Sequence, residues 1–436
     1  MVGPNPYDDV PYTSYPIEWT APERLALTSL LHGGVRTRRS GYRVLELGCG
    51  DGANLLALAH YRPHGQFVGV DAASSRIALA RSRQSALRLA NLEFIGSDLR
   101  TALPLVRGHF DYIIAHGVFS WVAPDVRDAL LALCAECLAP DGLFYVNYNT
   151  RPGWNIRAMV RDHLLAATAG IVGLAERTRH AQELARRTVA ALSAGPHPYG
   201  HLIANEFQFV VDGRPSYVAH EFLAEHNQAF WRSEFVTLVR AWGFELVADA
   251  DFNHASGRID PELPKRLDEA GIAGARPGDT LDLLSYRQLH SPILAKIGAP
   301  CRPIDEAEAA ALTMASRLRP KATVPGDAAS ATFLHPSGYE VDANDAQVDA
   351  VLRRLSSLWP NGLALAELFP DISHVFDDLL LLYRNGLIDL RLASPMLETS
   401  AFDPEPLNRL ERAWGGYHTN AWHVCELSDE ESHVVN

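Results

Sequence analysis

The chain has 436 residues, a formal net charge of −13 and 47% hydrophobic residues. This is the composition of a globular chain long enough for two or three domains. Its acidity argues against nucleic acid as the main partner, because phosphate binding leaves a basic footprint, and it suits a basic substrate through electrostatic steering. There is no apolar run of membrane-spanning length and no basic-then-apolar leader, so no membrane partner is expected. The five cysteines are scattered, and a reduced cytoplasmic setting follows.

Residues 1–20 are rich in proline and aromatics, including Tyr7, Tyr12, Tyr15 and Trp19. They read as a non-helical arm that packs over a pocket. A helix is expected from Pro22, with Thr20 as its N-cap. Residues 42–54 then carry the densest signal: a short apolar strand (Val44, Leu45, Leu47), a turn with Gly48, Gly50 and Gly52, and an immediate helical pattern. Strand, glycine turn and helix form the nucleotide-cradling unit of doubly wound folds.

Strands and helices alternate onward: strand 66–70, helix 74–88, strand 92–96, strand 110–115, helix 124–138 and strand 143–148. Such alternation implies a parallel sheet with right-handed crossovers. Cys134 and Cys137 sit in an apolar helical run with no second ligand pair, so they read as core, and no metal is expected. Residues at about 155–235 are helical and read as an insertion between the fifth and sixth strands. The apolar stretches at 244–250 and 281–294 are expected to be the last two strands.

Residues 301–330 read as a linker. Residues 331–400 follow as an acidic module of short helices and one strand, winged-helix-like in pattern, with a protein-contact or packing role expected rather than DNA binding. Residues 401–436 form a tail. The expected architecture is a doubly wound, mostly parallel seven-stranded α/β sheet spanning residues 1–300, with a helical insertion and a winged-helix-like module.

Two cofactor classes fit the glycine turn. Gly48, Gly50 and Ala53 satisfy the dinucleotide pattern G-x-G-x-x-G/A. Three acids favour S-adenosylmethionine instead. Glu46 would repel a pyrophosphate, which seeks donors, and would suit the ammonium of a methionine moiety. Asp71 ends the next strand, about 20 residues on, where an acid binds ribose hydroxyls in either class. Asp98 follows Ser97 at the end of the third strand and can accept from an adenine amino group. The cofactor-binding set is Glu46, Gly48, Cys49, Gly50, Asp71, Ala72, Ser97, Asp98 and Leu99, with His116 and Gly117 in the turn after the fourth strand.

In these residues the sequence resembles the class I S-adenosylmethionine-dependent methyltransferases. The resemblance implies that the glycine turn faces the methionine part, that Asp71 holds the ribose and that Asp98 approaches the adenine. Three further segments, Asp111–Val122, Tyr145–Trp154 and His220–Asn227, resemble bacterial methyltransferases with a methyltransferase regulatory domain, a group that the rickettsial outer-membrane-protein lysine methyltransferases are similar to. Ile17–Pro22 departs from that group's usual pattern, and longer relatives continue past Asn420 into another module.

The resemblance implies methyl transfer to an amine, most plausibly a lysine of a protein or peptide. Two alternatives stay open: N- or O-methylation of a small natural product or peptide terminus, and a non-catalytic cofactor-binding regulator. An amine must be deprotonated and aligned, and aromatic faces favour a methylated ammonium. Phe119, Trp121, Tyr148 and Trp154 are the candidate lining, with Tyr12 and Tyr15 closing the site and Asn147 and Asn149 holding the amine by their carbonyls. The set expected to carry the chemistry is Trp121, Tyr148, Asn147 and Tyr15.

Overall fold

The computed structural model describes residues 10, 12, 14–193, 195–250, 263–272, 277–321, 331–343, 345–359 and 361–392. Its centre is a seven-stranded sheet. Strands β1 (Arg43–Leu47), β2 (Gln66–Asp71), β3 (Leu92–Gly96), β4 (Phe110–Ala115) and β5 (Leu138–Val146) alternate with helices α2 (Ala53–Tyr61), α3 (Ser74–Leu87), α4 (Leu99–Ala102) and α5 (Pro124–Cys137), and α1 (Pro22–Leu31) precedes them. After a two-residue strand β6 (Tyr148–Asn149) come β7 (Phe244–Asp249), β8 (Leu289–His290) and β9 (Pro292–Lys296). The order is β3-β2-β1-β4-β5-β9-β7. The first five strands pair in parallel, and β9 is antiparallel to both β5 and β7. This is the expected doubly wound sheet. Strand order reverses beside β1, the switch point at which such sheets bind ligands outside the carboxyl ends of their strands.

The apolar stretch at 281–294 divides differently from the expectation. Pro277–Leu284 is helical, and the strand begins only at Pro292. The insertion supplies α6 (Trp154–Thr168), α7 (Leu174–Ser193), α8 (Pro198–Asp212) and α9 (Pro215–Phe222) before α10 (Arg232–Ala241) leads into β7. Val160, Leu164, Ala181, Phe207, Val210 and Phe222 give these helices a core of their own. Cys134 and Cys137 are buried on α5, as their apolar surroundings imply.

The stretch read as a linker is structured where it is described. Glu306–Ala310 is helical, and β10 (Thr313–Ala315) is the central strand of a three-stranded sheet with β14 (Leu363–Ala364) and β15 (Asp389–Arg391). The module also holds the antiparallel strands β11 (Arg319–Pro320), β12 (Ala331–Leu334) and β13 (Glu340–Ala343), and helices at Ala346–Leu358, Leu365–Leu368 and Phe376–Arg384. The tail from residue 393 lies outside the described residues.

Helix α1 joins the module to the sheet. Leu25 and Ala26 pack into the sheet core, while Leu27 and Leu30 pack with Leu312, Met314, Leu355 and Leu390 of the module. A helix apolar on both sides must be covered on both sides. The seam is pinned by charge. Arg24 donates to both carboxylate oxygens of Asp389 at 2.6 and 3.3 Å and to Glu18 at 3.0 Å, and Arg391 Nε donates to Asp389 at 2.9 Å. Burial raises the Asp389 pKa, but Arg24 and Arg391 outweigh it and hold the carboxyl well below its ordinary value. Thr20 does not cap α1. Ala21 holds that position, and the Thr20 hydroxyl donates to Ile17 O instead.

Asp389→Ala would remove the carboxylate that Arg24 and the 1%-exposed Arg391 share, leaving Arg24 its bond to Glu18. We expect it to cost about 3–5 kcal/mol, the usual penalty for breaking a buried pair from one side, measured by urea unfolding at neutral pH. The wild-type advantage should fade in acid, because a depressed carboxyl pKa contributes stability only above that pKa.

Candidate cofactor and acceptor site

The glycine turn joins β1 to α2. Gly48, Gly50 and Gly52 have φ of 75°, 55° and 77°, in the left-handed region that L side chains avoid. Space is also closed: a Cβ on Gly48 would lie 2.4 Å from Val118 Cγ2, and one on Gly52 would lie 2.4 Å from Phe94 Cζ. The turn is tied to the β2 end. Gly48 N and Cys49 N donate to Val70 O, and Asp71 accepts from Gly50 N and Ala73 N, both at 2.8 Å. Asp71 is therefore fixed at the rim of the turn. Burial raises its pKa, and the two amides oppose that rise. Cys49 is buried and Ala72 is exposed beside Asp71.

Glu46 is the most telling group. It is 5% exposed, and Oε1 accepts from Asn54 Nδ2 at 3.1 Å. Oε2 is buried with no partner among the described residues. Burial lifts its pKa to about 8, the Asn54 bond opposes the lift, and Asp71 and Asp51 add to it. A buried acceptor without a donor is costly, and a charged one more so. A cation beside Oε2 would remove that cost. The ammonium of an S-adenosylmethionine methionine moiety fits, and a pyrophosphate would worsen the repulsion.

At the third strand the structure adds a residue that the sequence did not single out. Asp98 caps α4 through Arg100 N at 2.9 Å, and the Arg100 side chain grips it at 3.0 and 2.6 Å. That grip lowers the Asp98 pKa. Its carboxylate is thus engaged by Arg100 here rather than turned outward for an amino group. Ser97 N donates to Asp71 O at 2.9 Å, linking the two strand ends, and Leu99 is buried below.

After β4, His116 is locked. Gly117 N donates to Asn147 Oδ1 at 2.6 Å, which turns the Asn147 amide nitrogen toward His116 Nδ1 at 3.3 Å. Trp19 Nε1 donates to the Tyr145 hydroxyl at 2.9 Å, and that hydroxyl meets Nδ1 at 2.9 Å. Nδ1 therefore accepts, leaving the proton on Nε2, and burial lowers the ring pKa to about 4. Asn147 thus orients His116. Its carbonyl already accepts one hydrogen bond, from Gly117 N.

Among the expected aromatics, the structure separates two groups. Tyr148 stacks on Phe235 at 4.0 Å, and Phe119 lies edge-on to Phe235 at 5.5 Å. Both belong to the core packed against the sheet, so their expected role at the acceptor is corrected to packing. Trp121 and Trp154 do come together, edge to face at 5.9 Å, with Arg161 above Trp121 at 5.9 Å. Asn149 Nδ2 and Trp154 Nε1 are buried donors without partners among the described residues. Tyr15 is 52% exposed at the rim.

The N-terminal arm crosses the turn, as its aromatic content implied. Ile17 N donates to Asn54 Oδ1 at 3.0 Å, Ser14 Oγ lies 3.4 Å from the Cβ position of Gly50, and Tyr12 O accepts from Arg76 at 2.7 Å. Arg76 also holds Asp51 of the turn at 2.8 Å. At the far end the Val10 carbonyl bonds His220 Nε2 of α9, and Tyr12 lies edge-on to that ring. Tyr7 lies outside the described residues.

Comparison with known proteins agrees with this geometry. Residues 44–142 match a family described as a methyltransferase domain. The uncharacterized protein RP789 of Rickettsia prowazekii (strain Madrid E) is 32% identical over 291 residues, which are 66% of this chain and 52% of that protein. RP028 of the same strain is 29% identical over 241 residues, covering 55% of this chain and 96% of the relative. The chain thus spans about half the length of RP789. Among solved structures, PKMT2 from Rickettsia typhi in complex with AdoHcy superposes with a TM-score of 0.74 at 22% identity, covering 87% of this chain and 77% of that one.

The fold, the glycine turn and the acids around it define a class I S-adenosylmethionine-dependent methyltransferase domain. The chain that carries it shares its fold with PKMT2 from Rickettsia typhi and is similar in sequence to RP789 of Rickettsia prowazekii. Among the described residues no group of His, Cys, Asp and Glu is placed to hold a metal, and no helix is long and apolar enough to cross a membrane.

Two measurements check the site. Glu46→Gln and Asp71→Ala should each weaken S-adenosylhomocysteine binding at least tenfold in calorimetry, with an unchanged circular-dichroism spectrum. Binding should also release protons near pH 7, because an ammonium on Oε2 drives Glu46 from its acid form, with a pKa near 8, to carboxylate. The observed enthalpy should then vary with buffer ionisation heat, and Glu46→Gln should remove that dependence.

Proposed function

We propose that this protein transfers a methyl group from S-adenosylmethionine to an amine, a lysine of a protein or peptide. The observation that carries the donor assignment is the buried, unpartnered Glu46 oxygen above a glycine turn. The bound donor supplies an electrophilic methyl group on a sulfonium, so the acceptor needs a free lone pair and alignment. Alignment alone supplies roughly 7–11 kcal/mol in well-oriented reactions.

The residues of this chain perform the holding. Glu46 and Asp71 flank the turn and would take the ammonium and the ribose. His116, neutral through the working pH range, presents Nε2–H and does not serve as a strong base. Trp121 and Trp154 form the apolar wall after β4 and β5, where an alkyl-ammonium chain is favoured by aromatic faces. The acceptor class rests on that wall, on the acidity of the chain, and on the shared fold with PKMT2 from Rickettsia typhi.

Incubating the full chain with tritiated S-adenosylmethionine and extract of the source cells should place label in a protein band, with methyl-lysines after acid hydrolysis. Label confined to small molecules or recovered as a base-labile ester would refute the lysine assignment. Tight cofactor binding with no labelled product in any fraction would favour a regulatory role.

A further inference from the structure

Glu221, at the C-terminal end of α9, is a carboxylate held unusually loosely for its burial. Its side chain is 18% exposed, and its one hydrogen bond among the described residues is from Arg157 Nη1 to Oε1 at 3.4 Å, the long end of the range. Arg157 is already committed elsewhere, with Nε on Glu206 Oε2 at 3.1 Å, both side chains being nearly buried. Glu206 in turn accepts from the Tyr286 hydroxyl at 2.8 Å. Arg161, the other cation on α6, sends its bonds to the carbonyls of Glu221 and Ala224 and lies over Trp121. Oε2 of Glu221 receives no hydrogen bond among the described residues.

The place of this carboxylate is set by the arm. Its neighbour His220 holds Val10 and Tyr12, while Ser14 lies over Gly50 of the cofactor turn. Tyr15 follows Ser14 at the rim and stands close enough to Glu221 for that charge to raise the Tyr15 pKa, after burial. Tyr217, one helical turn back on α9, hydrogen-bonds with Arg157 at 3.4 Å. The carboxylate therefore lies beside Tyr15, Tyr217 and Arg157, and the two arginines around it stand over the tryptophans, Arg157 over Trp154 at 5.2 Å and Arg161 over Trp121 at 5.9 Å.

Building on the amine assignment above, we propose that Glu221 is the seat of the acceptor's ammonium and takes its proton before transfer. One N–H proton moves from the ammonium to Oε2. This leaves a neutral amine with its lone pair free and a neutral carboxylic acid, and no oxidant or metal is required. The tyrosine and tryptophan faces hold the methylene chain. The groups facing Glu221 are Arg157 and Arg161 from α6, Tyr217 on its own helix, Tyr15 on the arm, and Glu206 of α8 through Arg157. Burial raises the Glu221 pKa to about 7, with Arg157 and Arg161 holding it back from rising further. A base of that strength is matched to neutral working pH.

The test uses the full chain, tritiated S-adenosylmethionine and poly-L-lysine as the acceptor probe, from pH 5.5 to 9. Wild type should show a kcat/KM that rises through an acid limb near pH 7. Glu221→Gln should lower kcat/KM by about 100-fold or more, the scale of a positioned proton acceptor, and should abolish that limb. S-adenosylhomocysteine affinity should be unchanged, which shows that the variant is folded. Glu221→Asp should retain the limb at reduced rate. A Glu221→Gln enzyme that keeps its rate, or loses rate but keeps the limb, overturns the assignment of Glu221 while leaving the amine reading intact. Wild type that ignores poly-L-lysine yet labels a hydroxyl or carboxyl acceptor overturns both.

Discussion

The site is organised around a buried carboxylate. Glu46 lies at the end of the central strand, next to the switch point, with one oxygen on Asn54 and the other without a partner among the described residues. An isolated buried charge is among the most expensive things a fold can keep. The surroundings manage it by degrees. Asn54 gives one hydrogen bond, the raised pKa allows the acid form at neutral pH, and a ligand ammonium would complete the set. Ionising Glu46 is harder in the folded chain than in the unfolded one. This group therefore takes stability from the fold as pH rises from about 4.5 toward about 8, and a cation bound at Oε2 would oppose that trend.

Asn54 also accepts from the backbone of Ile17, so the group that steadies Glu46 is the group that anchors the arm. The arm then reaches Arg76 and His220, and the same Arg76 holds Asp51 in the glycine turn. Sheet, turn, arm and inserted helices thus meet through a handful of polar side chains. Replacing the cofactor's ammonium by a neutral group would be felt first at Glu46 and next at the arm, through Asn54. This is a physical route by which donor binding can influence the acceptor side, since both ends share a hydrogen-bonded strap.

Much of this was legible in the sequence, for reasons of range. The strand–helix alternation, the glycine turn and the acids at the strand ends come from local patterns: period, glycine spacing and an acid at each strand terminus. Cys134 and Cys137 were readable as core because their helical neighbours are leucines. What failed were roles decided by partners far along the chain. Asn147 read as an amine holder, and the structure adds a partner the sequence did not show, Gly117 N, 30 residues away, on its carbonyl. Tyr148 and Phe119 looked like pocket aromatics, but Phe235 takes them into the core, and alternation along a strand cannot reveal which face a later helix will cover. Arg100 was overlooked beside Asp98 although it is two residues on, because a surface arginine in a short helix carries no pattern. The linker expectation failed because β10 is three residues long and gains its identity only from pairing with β14 and β15.

The two-sided burial of α1 has a consequence for how the molecule is made. Leu27 and Leu30 leave the ribosome well before the residues that cover them. Leu312, Met314, Leu355 and Leu390, which cover them, are among the last of the described ones. At about 5–20 residues per second, that interval lasts tens of seconds, during which the Rossmann-like sheet can close over Leu25 and Ala26 while the opposite face of the same helix stays bare. A nascent chain in this condition displays an apolar stripe beside Arg24, which has Glu18 at hand but not yet Asp389. The module that covers this face is made after the helix it covers. Fragments ending before it would be expected to associate with one another or with cellular holdases rather than remain dispersed.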